Sequence, residues 1–353
     1  METIRNNADT PPDRLNEDWR FGRPHVHAAE LLELIEKQRG DEGELSLEPT
    51  ADLGGITIGD AALQADHFAS IGSEYLVKQA LQAASDSMAL SICGSNTAET
   101  PFCIRCEAKG FFAPQISIVI EPGAHVHIVE QHLHHEKSTM FCLRHYTVMP
   151  GASLSLELRE EGSGSSRAMN ISRICCLGDC DVRHITTHKG HLWAREETTA
   201  ELTQQNGASP NLLLLSANHL QGEQWLDQRT RQLHFSPGAK SRLLYKNVLD
   251  DKATAIFGGN IRVELGAHDT DAYLSNLNMM LSEQATVHSL PGLEILADRV
   301  RCSHGSATAP IDTEQLFYLL ARGIPESDAR SILAEAFLAN VHQQFLEAPR
   351  SID

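Results

Sequence analysis

The sequence is short of positive charge, of aromatic rings and of long apolar runs. Lysine and arginine together number 29 against 47 aspartate and glutamate residues, a formal net charge of −18. That deficit excludes the broad basic surface needed for nonspecific nucleic-acid binding or adhesion to anionic membranes. Aromatic residues make up 5% of the chain while hydrophobic residues make up 41%, so the core must be largely aliphatic. The longest apolar runs, such as Leu212–Leu215 and Ile116–Ile120, fall far short of the roughly 20 residues that span a bilayer. The opening stretch METIRNNADTPPDRLNEDW has no apolar h-region, which predicts no secretory signal. No P-loop, Rossmann fingerprint, G-x-S-x-G or H-E-x-x-H run occurs, so no catalytic signature is present. The eight cysteines, at 93, 103, 106, 142, 175, 176, 180 and 302, follow no framework of the small secreted kind. A cytoplasmic chain with free thiols is the expectation.

What is there divides into three parts. Residues 1–90 read as a loose arm followed by helices, one over 28–39 with Leu31, Leu32, Leu34 and Ile35, the other over 73–90 with Tyr75, Leu76, Ala80, Leu81 and Ala84. Residues 91–308 hold short β-rich runs: Ile116–Ile120, Val126–Glu130, Leu154–Leu158, Asn211–Leu215, Arg242–Val248 and Ile261–Leu265. Turn glycines at 123, 151, 178, 207, 238 and 266 recur every 27 to 31 residues. Units of that size cannot bury their own apolar face and must stack. A parallel β-helix fits the aliphatic alternation and small corner residues; an antiparallel sandwich shares the same pattern. Residues 309–353 read as an αα-hairpin. Asp312 is placed to cap one helix, Gly323 to end it and Pro325 to begin the next. Ala329, Ile332, Leu333, Ala336, Phe337 and Val341 form the predicted face of that second helix.

Three groups of residues carry candidate chemistry. Cys302 and His304, at i and i+2 of a strand, point to one face and are a thiol–imidazole pair able to hold a soft metal or part of an iron–sulfur unit. A buried cysteine beside a hydrogen-bonded histidine is the plain alternative. Cys103 and Cys106, with Cys175, Cys176 and Cys180, offer one C-x-x-C where a zinc ribbon wants two, so small core residues are the better reading. His125, His127, His132, His134 and His135 include pairs sharing a strand face, but no spacing among them demands a metal.

The C-terminal third carries a specific likeness. LEILADRVRCSHGSATAPIDTEQLFYLLARGI (293–324) resembles the SufB/SufD core family of iron–sulfur cluster assembly proteins, with the C-S-H-G run and the following E-Q-L-F-Y-L resembling the SufD branch. LYKNVLDDKATAIFGGNIRV (244–263), DTDAYLSNLNMML (269–281), EDWRF (17–21) and the D-x-R-T-x-x-x-H pattern of Asp227, Arg229, Thr230 and His234 are similar to further family segments. Ser306 to Pro310 depart from the family's usual threonine-valine-glycine, and Leu274 and Leu277 stand where glutamine and arginine are common.

The resemblance implies a mainly β protein, a right-handed parallel β-helix flanked by N- and C-terminal helical regions. It implies a noncatalytic scaffold that pairs with a SufB-like subunit and docks a SufC-like ATPase on the C-terminal hairpin. It assigns His304, with Cys302, to the interface where a cluster is built. No cofactor is expected to be held permanently, only a transient iron–sulfur cluster shared with the SufB-like partner. Gln315, Phe317, Tyr318, Arg322 and Gly323 fall on the segment leading into the ATPase-binding hairpin, with packing and capping as their expected roles. A stand-alone metal-binding or carbohydrate-acting β-helix protein and a homodimeric SufB-like scaffold are the competing readings.

Overall fold

The computed structural model describes residues 43–48, 56–59 and 74–347; the arm, the predicted helix over 28–39 and EDWRF lie outside them. In chain order the elements are β1 (Gly43–Glu48), β2 (Ile56–Gly59), α1 (Glu74–Gln82), β3 (Asp86–Ile92), β4 (Phe102–Ala108), β5 (Phe111–Phe112), β6 (Pro114–Ile120), β7 (His125–His134) and β8 (Thr139–Val148). There follow β9 (Ser153–Glu161), β10 (Arg167–Leu177), β11 (Asp181–Lys189), β12 (Trp193–Thr203), β13 (Asn211–Leu220), β14 (Trp225–His234), β15 (Lys240–Leu249) and β16 (Thr254–Val263). The chain ends in β17 (Asp271–Met280), β18 (Thr286–Ile295), β19 (Arg301–Pro310), α2 (Thr313–Ala321) and α3 (Glu326–Glu347).

From β6 onward consecutive strands alternate between two facing sheets. One runs β1-β4-β7-β9-β11-β13-β15-β17-β19, the other β18-β16-β14-β12-β10-β8-β6-β3-β2, and β5 pairs with β8 beside the second. Within each sheet the neighbours are parallel, except β1 with β4 and β2 with β3. This is a parallel β-solenoid of about eight turns, which excludes the antiparallel sandwich. Ser153, Asp181, Asn211, Lys240, Asp271 and Arg301 stack in one column, one turn of chain for each 28 to 31 residues. The turn glycines repeat on the same period because each marks the same corner: all six have φ between 63° and 88°, a region that side chains with a Cβ disfavour.

In the nine-stranded sheet, from β7 to β17, the interior face is aliphatic over the first half of each strand and polar over the second. Val126 and Ile128, Leu154 and Leu156, Leu212 and Leu214, and Leu243 and Tyr245 belong to one continuous buried cluster. Further along the same faces come Glu130, His132 and His134, then Glu160, His184 and His188, then Ser216 and Asn218, then Asn247, Asn276 and Asn278, all buried. This division explains where the predicted strands end. Val126–Glu130 continues to His134, Asn211–Leu215 to Leu220, and Leu154–Leu158 to Glu161, because apolar alternation stops before the strand does.

Helices lie outside the sheets. Val77 and Ala80 of α1 pack against Phe141, Met169 and Ile171 on the outer face of the ten-stranded sheet. The helix predicted over 73–90 stops at Gln82; Asp86–Ile92 is a strand that pairs with β6. There Met88, Leu90 and Ile92 alternate toward the interior, and the solenoid begins before residue 91. On the other sheet, Val341 and Phe345 of α3 pack on Ile185, Leu213, Leu215 and Ala217. Lys246 Nζ donates to the Phe337 carbonyl at 2.8 Å. The predicted face of this helix is rotated: Ile332 and Ala336 are exposed, and Phe345 completes the buried stripe.

Candidate functional site

The last turn of the solenoid is open. β18 ends one sheet and β19 the other, and nearly every residue of the two strands is partly or fully exposed. Cys302 stands opposite Ala272 and His304 opposite Leu274. Ala272 and Leu274 are buried members of the interior cluster, so parallel register puts Cys302 and His304 on the interior-facing side of β19. Cys302 packs at the margin of that cluster, and burial pushes its thiol up from the ordinary range. His304 is exposed. Two residues further on, Ser306 Oγ donates to Ser289 Oγ across the two sheets at 2.8 Å. Leu290, Leu293, Ile295 and Tyr273 are exposed around this end.

The segment after β19 is built as a capped helix. The Asp312 carboxylate accepts from the backbone N–H of Glu314 and Gln315, and Gly323 follows α2 with φ 83°. Arg322 stands at the C-cap, its guanidinium 4.6 Å from the Tyr318 ring centre. Packing, the expected role of Phe317 and Tyr318, is not what is found: they are 72% and 57% exposed, and α2 has no buried residue.

The cysteine groups do not converge. Cys106 is buried whereas Cys103 is on the opposite face of β4 and partly exposed, and all eight cysteines are unbridged. The histidine run divides. His125 and His127 lie on the outer side, His127 Nε2 3.0 Å from Glu157 Oε1, and His135 pairs with Glu107 at 2.7 Å. His132 and His134 turn inward and join a buried cluster that the spacing alone does not suggest.

That cluster centres on the Glu160 carboxylate at one corner of the solenoid. His132 Nδ1 lies 2.6 Å from Oε1, and Asn170 Nδ2 donates to the same oxygen at 2.8 Å. His134 Nε2 lies 2.9 Å from Oε2 and His191 Nε2 3.5 Å from it. Burial alone would raise the Glu160 carboxyl, but the histidines around it hold it well below the usual range. His132 is raised, Cys106 and Glu160 outweighing burial. Burial lowers His134 to about 4 and His188 to about 3. Glu196, raised by burial to about 7, meets Arg144 at 2.8 Å. One signal in the sequence does find it: with a 28-residue period Glu160 stacks on His132.

Beyond the cluster the polar interior becomes an amide ladder. Asn218 donates to Asn247 at 2.8 Å, Asn247 to Asn278 at 2.9 Å, and Asn278 to Thr308 at 3.3 Å. It ends on the open strand that carries His304. The D-x-R-T-x-x-x-H residues serve the frame: Asp227 accepts from Arg195 at 2.5 Å and Arg229 at 2.6 Å, and His234 meets Ser241 at 2.9 Å.

Comparison with known proteins matches the SUF system FeS cluster assembly SufBD core domain over residues 102–337. The chain is 39% identical over 139 residues to the iron-sulfur cluster assembly protein SufD of Escherichia coli (strain K12), covering 39% of this chain and 33% of that protein. It is 27% identical over 236 residues to protein ABCI7, chloroplastic, of Arabidopsis thaliana, covering 66% and 49%. It is 35% identical over 120 residues to SufD of Bacillus subtilis (strain 168), covering 34% and 28%. The matched region thus spans about a third to a half of these curated relatives. No helix among the described residues is long and apolar enough to cross a membrane.

Proposed function

This chain belongs to the SufBD core family of the SUF iron–sulfur cluster assembly system, and from that premise we propose that it is a noncatalytic scaffold subunit. It joins a SufB-like subunit through its last turn and carries a SufC-like ATPase on its C-terminal helices. One observation carries this reading: among the described residues no strand continues either sheet beyond β18 and β19. An unpaired strand edge is a template for another strand, and two edges ending on the same turn suit a partner solenoid that continues both sheets. His304 and Cys302 then lie at the junction, facing the shared interior. A thiol and an imidazole supply part of a cluster's ligands, and the SufB-like partner completes the set, so the cluster is built there and passed on. The exposed Phe317 and Tyr318 of α2 support an ATPase-docking surface beside that junction.

The test is coexpression with SufB-like and SufC-like proteins. Both should co-purify with this chain. A chain that stays free of both at micromolar concentration, with the partners folded, overturns the scaffold reading. His304→Ala should leave the complex intact and lower cluster yield by about tenfold or more, the scale on which ligand and near-ligand losses are felt. Normal cluster yield from that variant removes His304 from the site. A homodimer in light scattering that persists with the SufB-like subunit present favours self-pairing at the same edges.

A further inference from the structure

We propose that His134, Glu160 and His191 form a buried binding site for a single divalent transition-metal ion, Zn²⁺ or Fe²⁺, separate from the open turn that carries His304. The three donor atoms lie within 4.8 Å of one another. His134 Nε2 and His191 Nε2 stand 2.9 and 3.5 Å from the same oxygen, Glu160 Oε2. Zinc–nitrogen and zinc–oxygen bonds of about 2.0–2.1 Å in a tetrahedron place ligand atoms about 3.3 Å apart, which these distances bracket. Two imidazoles and one carboxylate are the donor set that suits zinc with an open position, or ferrous iron.

The surroundings are arranged as a ligand shell requires. A metal-binding histidine is fixed by a hydrogen bond at its other nitrogen, and Ser166 Oγ lies 3.2 Å from His191 Nδ1. That leaves Nε2 directed at Glu160. The second Glu160 oxygen is held by Asn170 and His132, so Oε2 is the atom turned to the site. The His134 and His191 rings meet edge to face with centres 4.5 Å apart. Gly162 allows the corner to close: a Cβ there would fall 2.7 Å from both His191 Nδ1 and Ser166 Oγ.

The cluster is also under-satisfied as a purely structural network. His134 Nδ1, both ring nitrogens of His188 and His191 Nε2 are buried without a hydrogen-bond partner among the described residues. Buried polar atoms of native proteins are nearly all paired, and the Asn218–Asn247–Asn278 ladder a few turns away meets that standard. Imidazole nitrogens bind metal in their neutral form, and His134 and His191 each turn Nε2 toward the same Glu160 oxygen. His188 lies beside the site, its ring centre 6.3 Å from that of His191.

The full-length chain, without any partner, is refolded with Zn²⁺, Fe²⁺ under argon, or Co²⁺ as a spectroscopic probe, then dialysed against weak chelator. The expected result is about one equivalent of metal per chain, with X-ray absorption showing nitrogen and oxygen ligands and no sulfur. Glu160→Gln and His191→Ala should each weaken retention by at least about tenfold, whereas His304→Ala should not. Because no partner or cluster is involved, the outcome is independent of the scaffold reading. Folded wild-type chain that retains no metal overturns the site. So do sulfur ligation and retention indifferent to Glu160 and His191. If Glu160→Gln proves unstable it is replaced by Ser166→Ala, which spares the ligands and should still shift metal affinity and the Co²⁺ spectrum; an unshifted spectrum and affinity then count against the site.

Discussion

Replacing Asp227 by asparagine isolates the energetic role of the D-x-R-T-x-x-x-H segment. Asp227 and Arg195 have fully buried side chains, and Asp227 accepts from Arg195 at 2.5 Å and from Arg229 at 2.6 Å. Arg195 Nε also meets Glu197 at 2.6 Å. Two cations and two carboxylates therefore balance in a largely buried group, and Asp227→Asn leaves one positive charge uncompensated. Breaking a buried pair from one side costs about 3–5 kcal/mol. Glu197 still holds Arg195 and the amide oxygen still accepts one hydrogen bond, so about 3 kcal/mol is expected. At about 2.1 cal/mol/K of unfolding entropy per residue, a chain of 353 residues shifts by about 1.3 °C per kcal/mol, so the melting temperature should fall by roughly 4 °C in calorimetry. Arg195→Met added to Asp227→Asn should recover part of that loss, because the stranded charge goes with it. A single Asp227→Asn variant within about 0.5 kcal/mol of wild type, or a double variant no better than the single, would refute the charge argument.

Two further expectations concern the last strands of the solenoid and the helix that packs on its side. Asp271 meets Arg242 at 2.8 Å and Arg301 at 2.9 Å, joining the last three strands of one sheet. Burial would raise its carboxyl, but Arg242 and then Arg301 hold it below the usual value. The stabilisation is therefore present above the unfolded value near 4 and lost as pH falls through the lower folded value. Asp271→Asn should cost about 1 kcal/mol at neutral pH, with the gap closing in acid; an unchanged gap between neutral and strongly acidic pH in thermal melts counts against it. Phe345→Ala removes the buried end of α3 from Ile185, Leu213 and Leu215 and should cost about 3 kcal/mol of local stability. Hydrogen exchange should quicken in α3 and stay unchanged in β13 and β15; uniform quickening would show that helix and solenoid unfold as one unit.

The solenoid was legible because its corners repeat. Gly123, Gly151, Gly178, Gly207, Gly238 and Gly266 mark one corner per turn, and the aliphatic run after each lies in the first half of a strand. What was not legible follows from the same construction. Arg144, Asn170, Ser172, Glu196, Thr198 and Gln228 all face the interior of β8, β10, β12 and β14 and are buried, so those strands lack the apolar alternation by which strands are recognised. The helix expected over 73–90 failed for the converse reason: Met88, Leu90 and Ile92 extend its apolar content while obeying a two-residue period. Cys302 and His304 were visible as a pair on one strand face. Glu160 was reachable only through the 28-residue period that stacks it on His132, and His191, from a corner between strands, carried no such signal.

The polar half of the interior is hard to account for by stability alone. A column of Leu, Ile and Val would fill the same space without the desolvation cost that buried carboxylates and imidazoles carry. The chain meets that cost in two different ways. From Asn218 to Thr308 each amide hands its hydrogen bond to the next turn, a self-consistent ladder that fixes register and leads to the open turn. At the other end, several imidazole nitrogens around Glu160 have no such exchange among the described residues, although Ser166 and Asn170 hold the groups in orientation. Asn218, Asn247 and Asn278 each make that exchange, whereas at the Glu160 corner the unpaired nitrogens gather around one carboxylate. Orientation without satisfaction is what a ligand shell looks like before its ion, and that contrast, within one protein and one fold, is the physical ground for separating the His134–Glu160–His191 corner from the rest of the polar core.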